Sequence, residues 1–441
     1  MKRFHHIAAT FGTLGALIVL AACGGKKPEA DAAAAAPADA DKPPATEDAA
    51  KAPEQPEKPK PAGGAIKIVS SLPRTGSANA QTTTIVNGIK MAVDELGGQI
   101  KGPAGEFTIT YEDWDDASAK KGDWDPEVEA GNADKAVGDP DVMAYIGTYN
   151  SGAAMISMPV LNKAGLLMVS PANTYPALTK PGTGEAHEPD AYRPSGKITY
   201  FRVVPADDMQ GAVGARWAQN MGAKSVYVLH DNGLYGKGVA AVFQQTAEDI
   251  GLKVLAFEAL DPKAQEYKSL MTKIKELNPD FVYYGGTTQT NAGQLVKDFV
   301  AVGATGKIMV PDGCFEEAFI QACGAENANE RVYVTFGGVP PEKLVGQGAE
   351  FVKAYRAKFN AEPEAYAVYG YMSAKVALDA IKAAGSKDRA AISAAAAKVG
   401  YEDSALGKFT FTEHGDTTMS TMSGNIIRGG KFEFVTLLSN E

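Results

Sequence analysis

Three polar side chains follow predicted β-strands at positions where a small charged molecule could bind. Ser151 follows a strand pattern ending at Ile146 and opens a helix-like stretch, whose free amides and hydroxyl would bind an anion. Thr174 lies just past another strand pattern, and either hydroxyl could instead be a plain helix cap. Asp312 follows the strand pattern Ile308–Val310, where its carboxylate could accept charge-assisted hydrogen bonds or cap a helix.

Motifs of the common catalytic and metal sites are missing from the sequence. It has no P-loop, no HExxH zinc motif, no CxxC pair and no GxSxG elbow. The neighbouring His230 and Asp231 lack an accompanying nucleophile motif, and the acidic run 113–125 lacks the register and glycine of a calcium loop. These absences favour a binding protein without cofactor or metal over a hydrolase that would use His230 and Asp231.

Elements that would position these side chains alternate along the chain. Short β-type runs are predicted at 66–70, 107–111, 142–146, 166–169, 200–203, 225–229, 253–257, 281–284 and 308–310. Helical stretches are predicted at 86–96, 153–164, 210–221, 239–250, 267–277, 293–302, 348–359 and 366–384. Strands separated by helical patterns of this length indicate βαβ units and parallel sheets, and two such runs predict two doubly wound lobes. The tail at 407–411, 424–427 and 431–435 predicts short antiparallel strands.

The N-terminus has the pattern of a bacterial lipoprotein signal. Lys2 and Arg3 precede an apolar run from Ile7 to Leu20, which is shorter than a membrane span. The ending Leu20-Ala-Ala-Cys23 resembles a lipobox and makes Cys23 the lipid-bearing residue. A plain secretory signal with an incidental cysteine is the alternative.

Residues 24–64 contain no aromatic residue and no Leu, Ile, Val or Met. Such a segment buries too little apolar area to offset its ordering entropy, so we expect a disordered tether. The acidic and basic residues of 1–64 cancel, so the whole net charge of −10 belongs to the body. An acidic body without a basic stripe argues against nucleic acid as a partner.

Two cysteines, Cys314 and Cys323, remain after Cys23. An oxidising compartment would permit a disulfide between them. The residues between them look helical, however, and eight helical residues span about 12 Å, whereas a disulfide requires Cα atoms within about 7 Å. The pairing is left open.

Five segments in order resemble the leucine/isoleucine/valine-binding family of ABC-transporter receptors. They are residues 87–98 (NGIKMAVDELGG), 145–151 (YIGTYNS), 170–179 (SPANTYPALT), 230–238 (HDNGLYGKG) and 280–286 (DFVYYGG). The resemblance implies an α/β fold of the type I periplasmic binding protein class, with two Rossmann-like lobes, three crossover strands and a ligand cleft. It also implies an importer permease and ATPase as partners and a location in the periplasm, anchored to a membrane only through the lipid.

The resemblance also implies site residues. Ser151 and Thr174 match residues that hold a ligand's α-carboxylate, Asp312 matches an acidic residue that pairs with its ammonium, and Tyr235 matches a tyrosine that lines the cleft. The remaining candidates by position are Gln81, Tyr149, Asn173, Gly286 and Thr287.

Several of these positions depart from the family pattern. Gln81 falls near an aromatic position, Tyr149-Asn150 replaces a more apolar pair, and Thr287-Thr288 replaces two aromatic residues. A more polar pocket discriminates against ligands that leave its groups unpaired. These departures permit a polar amino acid or a small amide in place of leucine. A ligand sensor for a membrane signalling partner is an alternative to transport.

The predicted organisation follows from these patterns. Residues 1–22 are assigned to a signal peptide, 23–64 to the tether, 65–204 and 335–409 to the first lobe, and 205–334 and 410–441 to the second.

Overall fold

Residues 63–439 are described by a computed structural model of the chain. The predicted signal peptide, Cys23 and the tether up to residue 62 lie outside this range, so their predictions stay untested. Within it, no helix combines the length and apolar character that a bilayer crossing requires.

The first sheet contains six strands with the order β2-β3-β1-β6-β7-β8. They are β1 (Gly64–Leu72), β2 (Gln99–Gly102), β3 (Gly105–Asp115), β6 (Val142–Gly147), β7 (Leu167–Ser170) and β8 (Tyr200–Arg202), and a separate hairpin joins β4 (Ala117–Ser118) to β5 (Asp123–Trp124). Only β2 runs antiparallel to its neighbour in the sheet. Every residue of β6 is buried, as expected for a strand covered by helices on both faces.

The second sheet contains seven strands with the order β10-β9-β11-β12-β13-β14-β15. They are β9 (Ser225–His230), β10 (Lys253–Ala259), β11 (Phe281–Gly285), β12 (Lys307–Val310), β13 (Val332–Gly337), β14 (Met422–Arg428) and β15 (Lys431–Leu438). The first five are parallel, and β14 and β15 add an antiparallel edge.

Helices connect and cover the two sheets. They are α1 (Asn79–Glu95), α2 (Pro126–Gly138), α3 (Ser151–Lys163), α4 (Asp207–Asn220), α5 (Leu234–Asp249), α6 (Lys268–Leu277), α7 (Ala292–Ala301), α8 (Glu317–Cys323), α9 (Ala325–Ala328), α10 (Gln347–Phe359), α11 (Ala367–Ala384) and α12 (Arg389–Ala396). We call the first sheet with α1–α3 and α10–α12 the first lobe, and the second sheet with α4–α9 the second lobe. The close packing of α1 on α11 depends on two glycines: a Cβ on Gly88 would lie 2.1 Å from the Ala367 carbonyl oxygen, and one on Gly370 would lie 2.3 Å from that of Ile85.

The chain passes three times between the lobes: after β8, after β13 and before β14. The first and third passages lie side by side and are joined by two backbone hydrogen bonds. The Arg202 amide donates to the Gly415 carbonyl (3.0 Å), and the Thr417 amide donates to the Arg202 carbonyl (3.1 Å). The predicted α/β fold of two lobes with three crossings is confirmed. The exact lobe boundaries stay predictions.

Some elements differ from the sequence prediction. Helix α1 begins at Asn79, well before the predicted 86, because burial of Thr82 and Thr84 outweighs the low helix propensity of these β-branched residues. Helix α2 was not predicted because its only large apolar residues are Val128 and Val137, although Asp125 caps it by accepting from the Glu127 amide.

Candidate functional site

A small cavity lies where the carboxyl ends of the two sheets face each other. Open α/β sheets bind ligands at this position, beyond the strand ends. The first lobe lines the cavity with residues that follow β6 and β7 and with one residue before α11, and the second lobe lines it with residues that follow β11 and β12 and one from α5. The lining residues are Tyr149, Asn150, Ser151, Ala172 and Tyr366 from the first lobe, and Tyr235, Thr287, Asp312 and Gly313 from the second.

The Ser151 side of the cavity suits an anion. Ser151 is the first residue of the 13-residue helix α3, and no side chain caps this end of the helix. Its buried hydroxyl accepts a hydrogen bond from the Tyr175 amide at 3.3 Å and keeps its own proton free to donate. A helix start with free amides and a hydroxyl donor stabilises negative charge.

The Asp312 side suits a cation. The Tyr235 hydroxyl donates to Asp312 Oδ1 at 2.5 Å, and the Tyr366 hydroxyl of the other lobe donates to Oδ2. Burial raises the pKa of Asp312 above its ordinary value, while the two tyrosine hydrogen bonds oppose that rise. The carboxylate oxygens can accept further bonds, because each has two lone pairs.

A second carboxyl, that of Asp207, is buried nearby at the start of α4. Neither of its oxygens has a hydrogen-bond partner among residues 63–439. Burial raises the pKa of Asp207 well above its ordinary value, and the charge of Asp312 adds to this effect. Asp207 is thus a second buried carboxyl near Asp312, although it does not line the cavity.

Five of the nine predicted ligand residues line the cavity: Tyr149, Ser151, Tyr235, Thr287 and Asp312. Tyr235 also accepts the Gly313 amide at 3.1 Å, which holds its ring against the turn that carries Asp312. The structure thus brings the anion-type and cation-type candidates together in one cavity. Their roles as ligand contacts stay predictions.

The other four predicted residues are buried but do not line the cavity, for local reasons. The side-chain amide of Asn173 donates to the backbone carbonyls of Thr148 (2.9 Å) and Tyr149 (3.1 Å). It therefore positions the loop before Ser151. The backbone carbonyl of Thr174 accepts a hydrogen bond from the backbone amide of Asp207 at 2.9 Å.

Gln81 and Gly286 are similarly engaged. Gln81 Nε2 donates to the Phe315 carbonyl of the other lobe at 3.4 Å. Gly286 packs so close to Tyr284 that a Cβ would lie 2.5 Å from its ring.

Tyr366 was missed by the sequence analysis, although it binds Asp312 directly. It is 54 residues away from Asp312 in the chain and directly precedes helix α11, whose apolar pattern indicated only packing. The aromatic residue at a predicted helix start was the one available signal. Asn150 was noted only as a departure from the family pattern, and Ala172 and Gly313 carried no signal of their own.

The candidates for other chemistry have local roles. His230 Nδ1 accepts the Asn232 amide (3.0 Å) and Asp231 Oδ1 accepts the Gly233 amide (2.8 Å), so both side chains stabilise one turn. Cys314 and Cys323 are buried and free, so the structure has no disulfide between them. In the acidic run, Arg74 pairs with Asp113 at 3.0 Å. Across the described part of the chain, His, Cys, Asp and Glu residues form no group of three or more suited to a metal ion.

Comparison with known sequences identifies a family pattern over the same residues. A sequence model of the periplasmic binding protein family matches residues 65–430. Leu/Ile/Val-binding protein homolog 2 of Brucella abortus (strain 2308) is 30% identical over 350 residues, which cover 79% of this chain and 86% of that relative. The Leu/Ile/Val-binding protein BraC3 of Rhizobium johnstonii is 31% identical over 353 residues, covering 80% and 88%.

Solved structures share the fold. The leucine binding protein LivK of Thermotoga maritima superimposes with a TM-score of 0.74 at 26% identity, covering 85% of this chain and 99% of that one. LivJ of Streptococcus pneumoniae, a branched-chain amino acid transporter substrate binding protein solved with isoleucine, gives a TM-score of 0.72 at 25% identity, covering 85% and 99%.

Proposed function

Since this chain belongs to the periplasmic binding protein family, with branched-chain amino acid receptors as its relatives, we propose that it captures an amino acid or amino-acid-like zwitterion for an ABC importer. One observation carries the proposal. A helix start with a hydroxyl donor and a buried carboxylate line the same cavity from opposite lobes. This arrangement suits a molecule that carries a carboxylate and an ammonium on one carbon atom.

Each end of the ligand has a proposed partner. Ser151 and the free amides at the start of α3 hold the carboxylate. The loop that carries Thr174 supports this end of the site from behind, because the amide of the next residue, Tyr175, donates to the Ser151 hydroxyl. Asp312 accepts the ammonium through a charge-assisted hydrogen bond. Tyr235 packs along the body of the ligand, and the remaining lining residues exclude water.

Capture occurs by closure of the two lobes about the three chain passages. Contacts that cross the cleft support this proposal, because the Tyr366 hydroxyl reaches Asp312 and the Gln81 amide reaches the Phe315 carbonyl. Both contacts join the first lobe to the turn of the second lobe that carries the cation-type site. A ligand that binds there stabilises the closed arrangement.

The N-terminal sequence supports a place for this protein in the cell envelope. We propose that Cys23 carries a lipid, that residues 24–64 tether the lobes to a membrane, and that a permease and an ATPase receive the ligand. Labelling with a radioactive fatty acid tests the lipid directly. Wild-type protein should incorporate the label, and Cys23→Ala protein should not.

A thermal-shift screen tests the proposed ligand class. A ligand at 100 times its Kd stabilises the folded protein by about 2.7 kcal/mol, which raises Tm measurably. We expect one or more free amino acids to raise Tm, and sugars and nucleosides to leave it unchanged. A rise in Tm with sugars, nucleosides or small amides alone would overturn the assignment to zwitterions.

A further inference from the structure

Several buried polar atoms without hydrogen-bond partners among the described residues lie in or near the cavity, among them Asn150 Oδ1 and Thr288 Oγ1. Four others lie where the lobes meet. Gln81 and Tyr149 belong to the first lobe, and Gln289 and Glu316 belong to the second. Within residues 63–439, nothing hydrogen-bonds to Gln81 Oε1, Tyr149 OH, Gln289 Oε1 or Glu316 Oε2, and all four atoms are buried. We name these four residues the acceptor cluster. Folded proteins pair the great majority of buried polar atoms, so this concentration of unpaired atoms indicates a binding position.

The unpaired atoms of both glutamines are acceptors. Gln81 Nε2 donates to the carbonyl of Phe315, the residue before Glu316, at 3.4 Å. Gln289 Nε2 donates to Glu316 Oε1 at 2.9 Å. A carbonyl oxygen and a carboxylate oxygen can only accept hydrogen bonds. Each glutamine side chain must therefore direct its nitrogen towards that partner, and its own oxygen is left without one. With the free carboxylate oxygen of Glu316, three of the four atoms can only accept hydrogen bonds.

The acceptor cluster lies within reach of a ligand bound at Asp312. The Phe315 amide donates to the Asp312 carbonyl at 2.8 Å, which closes a turn whose first and last Cα atoms are within about 7 Å. Glu316 directly follows this turn. Tyr149 lines the cavity and lies near both carboxylates: burial raises its pKa well above the ordinary value, and the charges of Glu316 and Asp312 add to the rise.

Carboxyl groups are concentrated in this region, and burial raises the pKa of Glu316 above its ordinary value. Glu364 of the first lobe lies near Glu316, and burial followed by the Glu316 charge raises the pKa of Glu364 to about 7. No lysine, arginine or histidine of the described range forms an ion pair with Asp312, Glu316 or Glu364. The ammonium of a neutral amino acid would pair with Asp312, and its carboxylate would lie at the start of α3, so Glu316 would keep no partner from such a ligand. A ligand with a second cationic group would pair with Glu316 and stabilise its ionised form.

We propose that the preferred ligand is a basic α-amino acid, whose cationic side chain donates to Glu316 and to the glutamine oxygens of the acceptor cluster. This inference rests on the proposed function, because it takes the α-ammonium at Asp312 as given. Glu316 is a specificity-determining residue. Gln81 and Tyr149 complete its pocket only when the lobes are closed, so recognition of the side chain is coupled to closure.

The relatives' aliphatic ligands would fit this position poorly. An apolar side chain among buried acceptors leaves them unpaired after water is expelled, and that penalty makes discrimination strong. A cation with several donors supplies partners for all of them. The same polar residues that depart from the family pattern therefore select for a different side chain.

Matched amino acids test the inference by isothermal titration calorimetry on the purified protein. L-lysine is compared with L-norleucine, which has the same carbon chain without the ammonium, and L-arginine with neutral L-citrulline. We expect each cationic member to bind at least about tenfold more tightly than its neutral partner. Glu316→Gln should reduce this preference to about onefold, and Glu317→Gln, which removes an exposed charge from the next residue, should leave it unchanged.

The outcomes separate the two proposals. If norleucine binds as tightly as lysine and citrulline as tightly as arginine, the inference is wrong while capture of an α-amino acid stands. If no α-amino acid binds, both proposals are wrong. The ranking of ligands by the wild-type protein requires no variant, so it decides the question even if Glu316→Gln fails to fold.

Discussion

The Arg202 guanidinium donates to the Asp416 carboxylate at 2.6 Å, and both side chains are buried between two chain passages that connect the lobes. Arg202 also donates to the Tyr175 carbonyl (2.8 Å) and to the Thr179 hydroxyl (2.6 Å). Burial raises the pKa of Asp416, but the charge of Arg202 and the hydrogen bonds from Thr179 and Arg202 outweigh it, so the net pKa lies below the ordinary value. The ion pair joins the end of β8 to the third passage, and the other hydrogen bonds of Arg202 attach the loop after β7 to both.

Removing the carboxylate from this pair should be costly. We expect Asp416→Asn to lower the free energy of unfolding by about 3–5 kcal/mol, because it leaves the Arg202 charge buried without its partner. Urea denaturation monitored by circular dichroism measures the change. The control is Glu402→Gln, whose exposed pair with Lys408 is worth less than about 1 kcal/mol. A loss as small as that of the control would contradict the importance of the buried pair.

Glu129 should make stability fall as the pH rises. It is buried in the first lobe, where the Ser71 hydroxyl (2.6 Å) and the Tyr145 hydroxyl (2.9 Å) donate to it, and burial raises its pKa to about 7. An unfolded glutamate titrates near 4.3, so between these values the unfolded chain releases a proton that the folded protein retains. The stabilising contribution is complete below about pH 4.3 and is lost as the pH rises through 7.

The variant Glu129→Gln stays neutral and should flatten this dependence. Unfolding free energies at pH 5 and pH 8 should differ less in the variant than in the wild type, by on the order of 2–3 kcal/mol. Equal slopes in both proteins would show that Glu129 is not the titrating group.

Asp312→Asn should weaken binding of an amino acid by about 1.5 kcal/mol or more, equivalent to roughly a tenfold rise in Kd. The physical reason is the loss of the charge opposite the ligand's ammonium. Calorimetric titration measures it, with the unfolding midpoint recorded to show that the variant is folded. An unchanged Kd in a folded variant would remove Asp312 from the site.

Ser151→Ala should raise the Kd of the same ligand by about tenfold, because the hydroxyl bond to a charged carboxylate is lost. Ser157→Ala is the matched control, since Ser157 is buried on the same helix but does not line the cavity. Its hydroxyl donates to the Ala153 carbonyl of its own helix. Equal effects of the two substitutions would indicate a change in the helix and would argue against a ligand contact at Ser151.

The sequence predicted those parts of the site that depend on local order. Ser151 and Asp312 were found because each follows a strand pattern closely, and strand ends of parallel sheets meet at one edge. Tyr366 and Glu316 could not be placed in this way. The approach of Tyr366 to Asp312 depends on how the two lobes pack, and Glu316 resembled an ordinary polar residue before a helix until its unpaired oxygen was located.

The fold was predictable to a similar degree. Regular alternation of apolar strands and amphipathic helices gave the two lobes, whereas strand β13 (Val332–Gly337) was missed although four of its residues are fully buried. The place of a strand within its sheet depends on long-range packing, whereas the type of an element depends largely on its local sequence. The three crossings entered only through the family resemblance, since nothing local in the segments around Arg202 and Asp416 predicts that they lie side by side.

Both oxygens of Asp312 already accept a tyrosine hydroxyl, one from each lobe. Each oxygen keeps a lone pair for an arriving ammonium, so neither phenol has to leave. The two hydroxyls hold the carboxylate in one orientation before a ligand arrives. Less ordering is then required at the moment of binding, and that preorganisation favours affinity.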